Sequence, residues 1–249
     1  MPNIRNIAAY RFVTIDDVDA VAVRVKALCQ ALDLKGTVLV APEGVNIFLA
    51  GSATGIDGFL AELQTDARFA GLTVKFSQSG FVPFKRLRVK RKSEIITYRD
   101  ASLKPGQGRA PSVTPETLAR WLQAGKDDAG RELVMLDTRN AEEVVYGTFE
   151  NALNFPIRKF TDLPEAVAMR KPELDGKTVV SFCTGGIRCE KSVLRMQADG
   201  YENCYQLEGG ILGYFEKVGG THYDGRCFVF DDRIALDPNL EPLISEPGF

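Results

Sequence analysis

Two cysteines six residues apart, Cys183 and Cys189, enclose the stretch "CTGGIRC", which also holds two glycines and an arginine. We call residues 183–189 the thiol loop. The preceding run, "KTVVSF", is rich in β-branched and aromatic residues, which is typical of a buried parallel strand. A helix is predicted to begin near Cys189. Cys183 therefore lies at the carboxyl end of a strand, where α/β sheets bind their ligands.

The residues around Cys183 favour its ionised form. Gly185 and Gly186 admit backbone conformations closed to other residues, so that successive N–H groups can point inward and form an anion nest. The helix N-terminus adds partial positive charge, and Arg188 adds a full one. Because the thiolate is the nucleophilic form, we expect Cys183 and Arg188 to be catalytic, with a sulfur that solvent can reach. The alternative is a tight turn around a small buried hydrophobe.

Cys189 has two interpretations. It is either a resolving thiol for Cys183 or a structural residue in the first helical turn. The same helix-end field acts on both sulfurs, which favours a catalytic role for Cys189. Cys29, Cys204 and Cys227 lie in apolar runs and are predicted to be core residues.

The elements around the thiol loop alternate between strands and helices. Residues 113–220 predict helices at "TPETLARWLQAG", "NAEEVVYG", "FTDLPEAVAMRKPELDG", "RCEKSVLRMQADG" and "ILGYFEKVG". Strands are predicted at "ELVMLDTR", "ALNFPI", "TVVSFCTGG" and "NCYQLEGG". This order predicts an α/β domain with a mainly parallel sheet flanked by helices, followed by a tail at residues 221–249.

Residues 1–99 predict a different plan. The order is strand, helix, a strand pair around "PEG", helix, strand, which is the split βαβ or ferredoxin-like α+β arrangement. Residues 100–112, "DASLKPGQGRAPS", contain two prolines and two glycines and are predicted to be a linker. The last strand of this domain is expected across "KRLRVKRKSEIITY".

Residues 85–92, "KRLRVKRK", hold six cations and no acid, and we call them the basic segment. In a strand, Leu87 and Val89 face one side, while Arg86, Arg88 and Lys90 face the other. A row of cations on an exposed face is suited to RNA phosphates. The alternative is a solvated, edge-protecting face. The predicted RNA-binding residues are Lys85, Arg86, Arg88, Lys90, Arg91 and Lys92.

Composition excludes several classes of site. The only histidine in the 249 residues is His222, so one chain cannot build a two-histidine-one-carboxylate iron site. Neither a C-x-x-C pair nor H-E-x-x-H occurs, and no metal site is predicted. Five cysteines at irregular spacings, with no apolar signal segment or membrane span, favour a reducing cytoplasm. The net charge of −2 confines any RNA surface to a local patch.

Two stretches resemble the signatures of rhodanese domains. "CTGGIR" is similar to the loop whose cysteine carries a persulfide in that family, and "LDTRNAEEVVYGTFENALNFP" resembles its second motif. Thr148 stands where a histidine is usual. Cysteine phosphatases place arginine six residues beyond cysteine, whereas here it is at position 188, and the shorter loop suits a persulfide sulfur. The residues that match the second motif are Asp137, Arg139, Glu143, Gly147, Asn154 and Pro156.

Three stretches indicate which of the proteins with rhodanese domains this sequence resembles: "CTGGIRCEKS", "PFKRLRVKRKSEIITY" and "GRCFVFDDRIAL". In this order they closely resemble the bacterial tRNA uridine hydroxylase family over nearly the whole chain. The resemblance implies oxygen-dependent formation of 5-hydroxyuridine at the tRNA wobble position, with Cys183 as the catalytic residue. It also implies the tRNA anticodon arm as partner and molecular oxygen as co-substrate. No other cofactor is evident, since flavin, iron and haem motifs are lacking.

Some expectations about this family remain open. Asp137 and Arg139 are expected to form a charge pair that supports the thiol loop. Longer members carry a cysteine-containing C-terminal extension that this sequence does not show, so any role of that extension in RNA or metal binding is left open here. Two other functions stay possible, because rhodanese domains host several activities. One is a sulfurtransferase that passes persulfide sulfur to an acceptor, and the other is a non-catalytic tRNA-binding module with a redox-sensing thiol.

Overall fold

The computed structural model describes residues 4–244, which fall into two compact units. The first unit holds residues 4–97, 230–234 and 241–244, and the second holds residues 98–229 and 235–240. Residues beyond 220 are therefore shared between the two units. None of the helices in the described part of the chain has the length and hydropathy of a membrane span.

The first unit is a five-stranded sheet in the order β4-β1-β3-β2-β5. The first four strands are antiparallel neighbours, which confirms the predicted ferredoxin-like plan, and β5 adds a parallel strand beside β2. Apolar side chains of both helices and of alternate strand positions form its core. The elements are β1 (Ile4–Phe12), α1 (Val18–Ala31), β2 (Lys35–Ala41), β3 (Gly44–Gly51), α2 (Ala53–Leu63), a 3₁₀ turn (Ala67–Phe69), β4 (Val74–Ser79) and β5 (Leu87–Arg91).

The last strand of this unit is shorter than predicted. The expected strand across "KRLRVKRKSEIITY" is wrong beyond Arg91, where β5 ends. Ile95 leaves the sheet edge and is only 1% exposed. Its backbone bonds side chains instead of a strand: its N–H donates to Glu43 Oε1 at 2.7 Å, and its carbonyl accepts from Asn46 Nδ2 at 3.4 Å.

The second unit contains a four-stranded, fully parallel sheet in the order β6-β10-β9-β7. Helix α3 packs with α8, and α5 packs with α7, which confirms the predicted parallel sheet with flanking helices. The strands of this unit are β6 (Ser112–Val113), β7 (Leu133–Asp137), β8 (Gly147–Phe149), β9 (Thr178–Phe182), β10 (Cys204–Leu207), β11 (Tyr223–Gly225), β12 (Cys227–Phe228) and β13 (Ala235–Leu236). The helices are α3 (Pro115–Ala124), α4 (Ala141–Val144), a 3₁₀ turn (Phe160–Asp162), α5 (Leu163–Met169), α6 (Lys171–Leu174), α7 (Ile187–Ala198) and α8 (Gly210–Val218).

Two predicted elements of this unit are wrong. The stretch "ALNFPI" forms only a single bridge, Leu153 with Leu136. The single helix predicted over "FTDLPEAVAMRKPELDG" is interrupted at Arg170. Pro172 lies in the first turn of α6, where its missing N–H is tolerated, but it cannot continue α5.

Candidate active site

The sulfur of Cys183 accepts hydrogen bonds from the backbone of the turn that connects β9 to α7. The N–H of Gly186 donates to Sγ at 3.1 Å, and the N–H of Arg188 donates to it as well. Gly186 has φ +98°, the left-handed conformation expected of it. Gly185 does not have a positive φ, so the prediction that it needs a glycine-only conformation is wrong. Apart from its chain neighbours, no atom lies within 4 Å of where a Gly185 β-carbon would be.

Arg188 is fixed from the other side by Glu143. Its Nη1 and Nη2 donate to Glu143 Oε2 and Oε1, each at 2.6 Å. Glu143 Oε2 also accepts the N–H of Asn140 at 3.1 Å, which ties it to the start of α4. Both ionic side chains are buried, and the guanidinium also bonds the Cys183 sulfur. Arg188 therefore contacts the thiol as predicted, and it is held by Glu143, a residue of the second rhodanese motif for which no site role was predicted.

Cys189 lies beside Cys183, in the first turn of α7. Its thiol donates to the Cys183 sulfur, and its own sulfur is 3.7 Å from Thr138 Oγ1. Burial opposes ionisation of Cys183, but the Cys189 thiol, the Arg188 charge and the two amides together lower its pKa to about 5. Burial and the neighbouring Cys183 raise the pKa of Cys189 well above its ordinary value. The opposite shifts of the two pKa values both favour a thiolate on Cys183 and a thiol on Cys189.

The other three cysteines behave as buried hydrophobes. Burial raises the pKa values of Cys29, Cys204 and Cys227 to about 12. All five cysteines are free thiols, and Cys183 alone has a lowered pKa. The expectation of core roles for the other three is confirmed by their burial. Within residues 4–244, no three His, Cys, Asp or Glu side chains converge as metal ligands would.

The Cys183 sulfur is closed off in this conformation. The residue is 1% exposed, so the expectation of a thiol that solvent can reach is wrong for the structure as it stands. The amides that stabilise its charge are also the groups that surround it. Within the turn, Gly185 and Ile187 are half-buried, whereas Thr184, Gly186 and Arg188 are buried. A reaction at this sulfur requires the turn to move.

Buried polar groups lie under the thiol loop at the end of β7. Asp137 and Arg139, both 0% exposed, form the expected ion pair, with Oδ2 and Nη2 separated by 2.6 Å. Arg139 Nη2 also donates to the Gly147 carbonyl at 2.7 Å. Thr148 donates to Asp137 Oδ2 at 2.8 Å, so the residue that departs from the family motif retains a hydrogen bond there. Support of the loop by this pair stays a prediction.

The start of α8 forms the other wall of the loop. The N–H of Ile211 donates to the Cys183 carbonyl at 2.9 Å, and that of Leu212 donates to the Thr184 carbonyl at 3.1 Å. Gly210 has φ +62°, and a β-carbon there would lie 2.4 Å from the Cys183 carbonyl oxygen. Only glycine permits this approach. The glycine pair in "EGGI" predicts a strand-to-helix turn beside the thiol loop in which the two backbones approach closely, and the structure confirms it.

The basic segment belongs to the first unit and splits between two faces of its sheet. Leu87 and Val89 pack on the core beneath α1, while Arg88 and Lys90 are exposed on the opposite face. Arg91 lies on the same face as Leu87 and Val89 and pairs with Asp19 of α1, and its role in RNA binding stays a prediction. The remaining predicted RNA-binding residues are exposed outside β5: Lys85, Arg86 and Lys92.

Comparison with known proteins gives consistent matches along the chain. Residues 4–95 match the UPF0176 acylphosphatase-like domain, and residues 114–217 match the rhodanese-like domain. A curated relative from Xanthomonas euvesicatoria, named tRNA uridine(34) hydroxylase, is 61% identical over 97% of each chain. A relative of the same name from Bordetella avium is 57% identical over 97% of this chain and 100% of its own. Among solved structures, the rhodanese-like domain of an Anabaena protein is 18% identical over 46% of this chain and 79% of that chain, with a TM-score of 0.37.

Proposed function

This chain belongs to the tRNA uridine(34) hydroxylase family, and we propose that it converts uridine 34 of tRNA to 5-hydroxyuridine. The observation that carries the proposal is the identity of about 60% to curated relatives of that name over nearly the full chain. The geometry supports it with one sulfur held as a thiolate by amides and an arginine. The enzyme is a tRNA-modifying hydroxylase acting in the cytoplasm.

Cys183 is the catalytic residue in this proposal, as a thiolate or as the persulfide that rhodanese cysteines carry. The amides of Gly186 and Arg188 stabilise the negative sulfur because they point at it before any reaction begins. The Arg188 guanidinium adds a full charge in a buried setting, where electrostatic attraction is strong. Cys189 retains its proton and donates it to the charged sulfur as a hydrogen bond.

The reaction is of the monooxygenase type. One atom of molecular oxygen replaces the hydrogen on C5 of the base as a hydroxyl group. The second oxygen atom is reduced to water, which requires two electrons and two protons from a donor. Molecular oxygen is thus a co-substrate, and this chain contributes the reactive sulfur and the binding of the anticodon arm. A wobble base must be unstacked to reach a buried group. Because the anticodon loop is single-stranded, unstacking requires little free energy.

A second function is favoured by the same sulfur. A persulfide also needs a low-pKa cysteine surrounded by donors, and residues 114–217 match the rhodanese-like domain. A sulfurtransferase would pass the outer sulfur of that persulfide to an acceptor. Release of thiocyanate from thiosulfate and cyanide would measure this activity directly.

Mass spectrometry of tRNA nucleosides tests the proposal, in a deletion strain where no other enzyme forms the base. The parent chain should restore 5-hydroxyuridine, and Cys183→Ser should not. Cys204→Ser is the matched control, because that thiol is buried and protonated like a core residue. Unchanged 5-hydroxyuridine in the deletion strain would refute the hydroxylase function. Full restoration by Cys183→Ser would show that the sulfur is not catalytic.

A further inference from the structure

The two faces of the five-stranded sheet differ in character. In β3, Val45, Ile47 and Leu49 point into the core with α1 and α2. Side chains alternate along a strand, so Phe48 stands on the opposite face. It is half-buried, whereas the three core residues are buried. An aromatic ring therefore lies on the sheet face opposite the helices. Part of this face is covered, since Asn6 is buried and Arg233 Nη1 donates to Ser77 Oγ at 2.7 Å.

The neighbours of Phe48 leave space beside its ring. Its cross-strand partners are Ala8 on β1 and Thr37 on β2, both small. Among residues 4–244, Phe48 makes no contact with another aromatic ring, whereas Tyr10 and Phe12 pair with each other at 6.0 Å between centroids. A planar group laid on Phe48 would meet small side chains directly across on both neighbouring strands, and Tyr10 lies two residues beyond Ala8 on the same face.

The row through Phe48 ends in cations at both sheet edges. Thr37 is paired with Arg88 on β5, and Ala8 with Lys75 on β4, so the row contains no carboxylate. Lys90 follows Arg88 on the same face. Neither Arg88 nor Lys90 has an ion-pair partner anywhere in the described chain, unlike Arg91 on the other face. Two strand spacings put Arg88 roughly 10 Å from Phe48, within reach of the phosphate of a stacked nucleotide.

We propose that this row is a single-stranded RNA-binding surface, on which a base of the tRNA stacks on Phe48 while its backbone phosphates contact Arg88 and Lys90. The inference rests on the proposed function, which makes tRNA the substrate. Lys90 ends the adjacent row, Asn46–Leu39–Lys90. The Asn46 end of that row is covered, since Asn46 Nδ2 donates to the Ile95 carbonyl at 3.4 Å, so only its β5 end, at Lys90, belongs to the surface. An aromatic ring with cations within reach of the same nucleotide is the arrangement that binds single-stranded nucleic acid without reading its sequence.

The test measures affinity of the full-length protein for an unmodified tRNA transcript by fluorescence anisotropy. Phe48→Leu keeps an apolar side chain but removes the ring, and should weaken binding at least about 5-fold. Phe48→Trp should retain the parental affinity. The matched control is Phe76→Leu, since Phe76 is exposed, lies on β4 and is paired with core residue Ile7 on the opposite face. It should bind as the parent does. Circular dichroism melting establishes that each variant is folded.

The possible outcomes distinguish failure of the proposed RNA-binding surface from failure of the proposed function. Parental affinity in a folded Phe48→Leu protein overturns the surface, even where 5-hydroxyuridine is formed normally. Equal weakening by Phe76→Leu also overturns it, because the effect would then not belong to this face. A parent chain that binds no tRNA overturns the proposed function together with the surface. Weakened binding by Phe48→Leu alone supports the surface, whichever chemistry the sulfur performs.

Discussion

Glu143 and Arg188 form a two-point ion pair, with both oxygen–nitrogen distances at 2.6 Å and exposures of 0% and 5%. The carboxylate comes from α4 and the guanidinium from the first turn of α7. Two planar groups in this alignment restrict each other's rotation. The positive charge next to Cys183 is therefore fixed in place by a residue more than forty positions upstream.

Removal of the carboxylate should be costly to folding. Glu143→Gln leaves the Arg188 charge buried without its anion, and we expect a loss of about 3 kcal/mol in the free energy of unfolding. Urea denaturation measures it. Glu173→Gln is the matched control, because Glu173 pairs with Arg170 at an exposed site and its loss should leave stability unchanged. Equal stability of the two variants would contradict this prediction.

The thiol should titrate near pH 5. Alkylation of Cys183 by iodoacetamide, followed by peptide mass spectrometry, should rise with pH to a plateau whose midpoint reports the pKa of about 5. Arg188→Gln should move the midpoint upward, since it removes the nearby positive charge. The plateau rate should be lower than that of an unfolded cysteine because the residue is 1% exposed. A midpoint near 9 in the native protein would contradict the prediction.

Stability should depend on pH through the same sulfur. Native Cys183 loses its proton near pH 5 and an unfolded cysteine near pH 9, so between these values the native state holds fewer protons. The unfolding free energy should therefore rise from pH 5 to pH 9, by at most about 1.4 kcal/mol per pH unit. The contribution is complete above pH 9 and is lost as pH falls through 5. Cys183→Ser should remove the slope and Cys204→Ser should not, which denaturation series at several pH values would show.

Two glycines beside the sulfur should respond differently to alanine. Gly210→Ala places a methyl group 2.4 Å from the Cys183 carbonyl oxygen at φ +62°, and the left-handed conformation alone costs about 1–2 kcal/mol. Gly185→Ala meets no atom within 4 Å beyond its chain neighbours and needs no unusual φ. Thermal denaturation should show a loss of stability for Gly210→Ala alone. Similar melting temperatures would contradict the packing described here.

The cations of the basic segment should contribute to RNA binding according to the face of the sheet on which they lie. Arg88→Gln and Lys90→Gln should each weaken tRNA binding and reduce the slope of log affinity against log salt by about 0.7–0.9. Arg91→Gln is the control, since Arg91 faces the helix side and pairs with Asp19. Anisotropy titrations from low to high salt give the three slopes. Identical slopes for all three variants would mean that the cations act as a diffuse charge.

Sequence alone predicted the parts of this molecule in which local pattern and fold agree. The β-branched run before Cys183 gave the buried strand β9, and the apolar spacing in α1 gave the helix. Where one residue competes with the pattern, prediction failed. Pro172 interrupts a stretch whose flanking residues suit one continuous helix.

The site was predictable to the extent that its groups are close in sequence. Cys183, Gly186 and Arg188 lie in one turn, and their contacts with the sulfur follow from that turn. The motif resemblance names Glu143, but its contact with Arg188 joins elements distant along the chain, and no local spacing encodes that distance. Burial of the sulfur is likewise a property of tertiary packing, which residue types in the loop do not report.

A thiolate sealed from water is also sealed from peroxide and from electrophilic metabolites. With 1% of Cys183 exposed, the lifetime of its reduced form depends on how often the turn opens and not on how much of it is ionised. Such a sulfur can remain fully charged at neutral pH without being consumed by irreversible oxidation to sulfinic acid. Shielding between turnovers is thus a direct consequence of the closed turn.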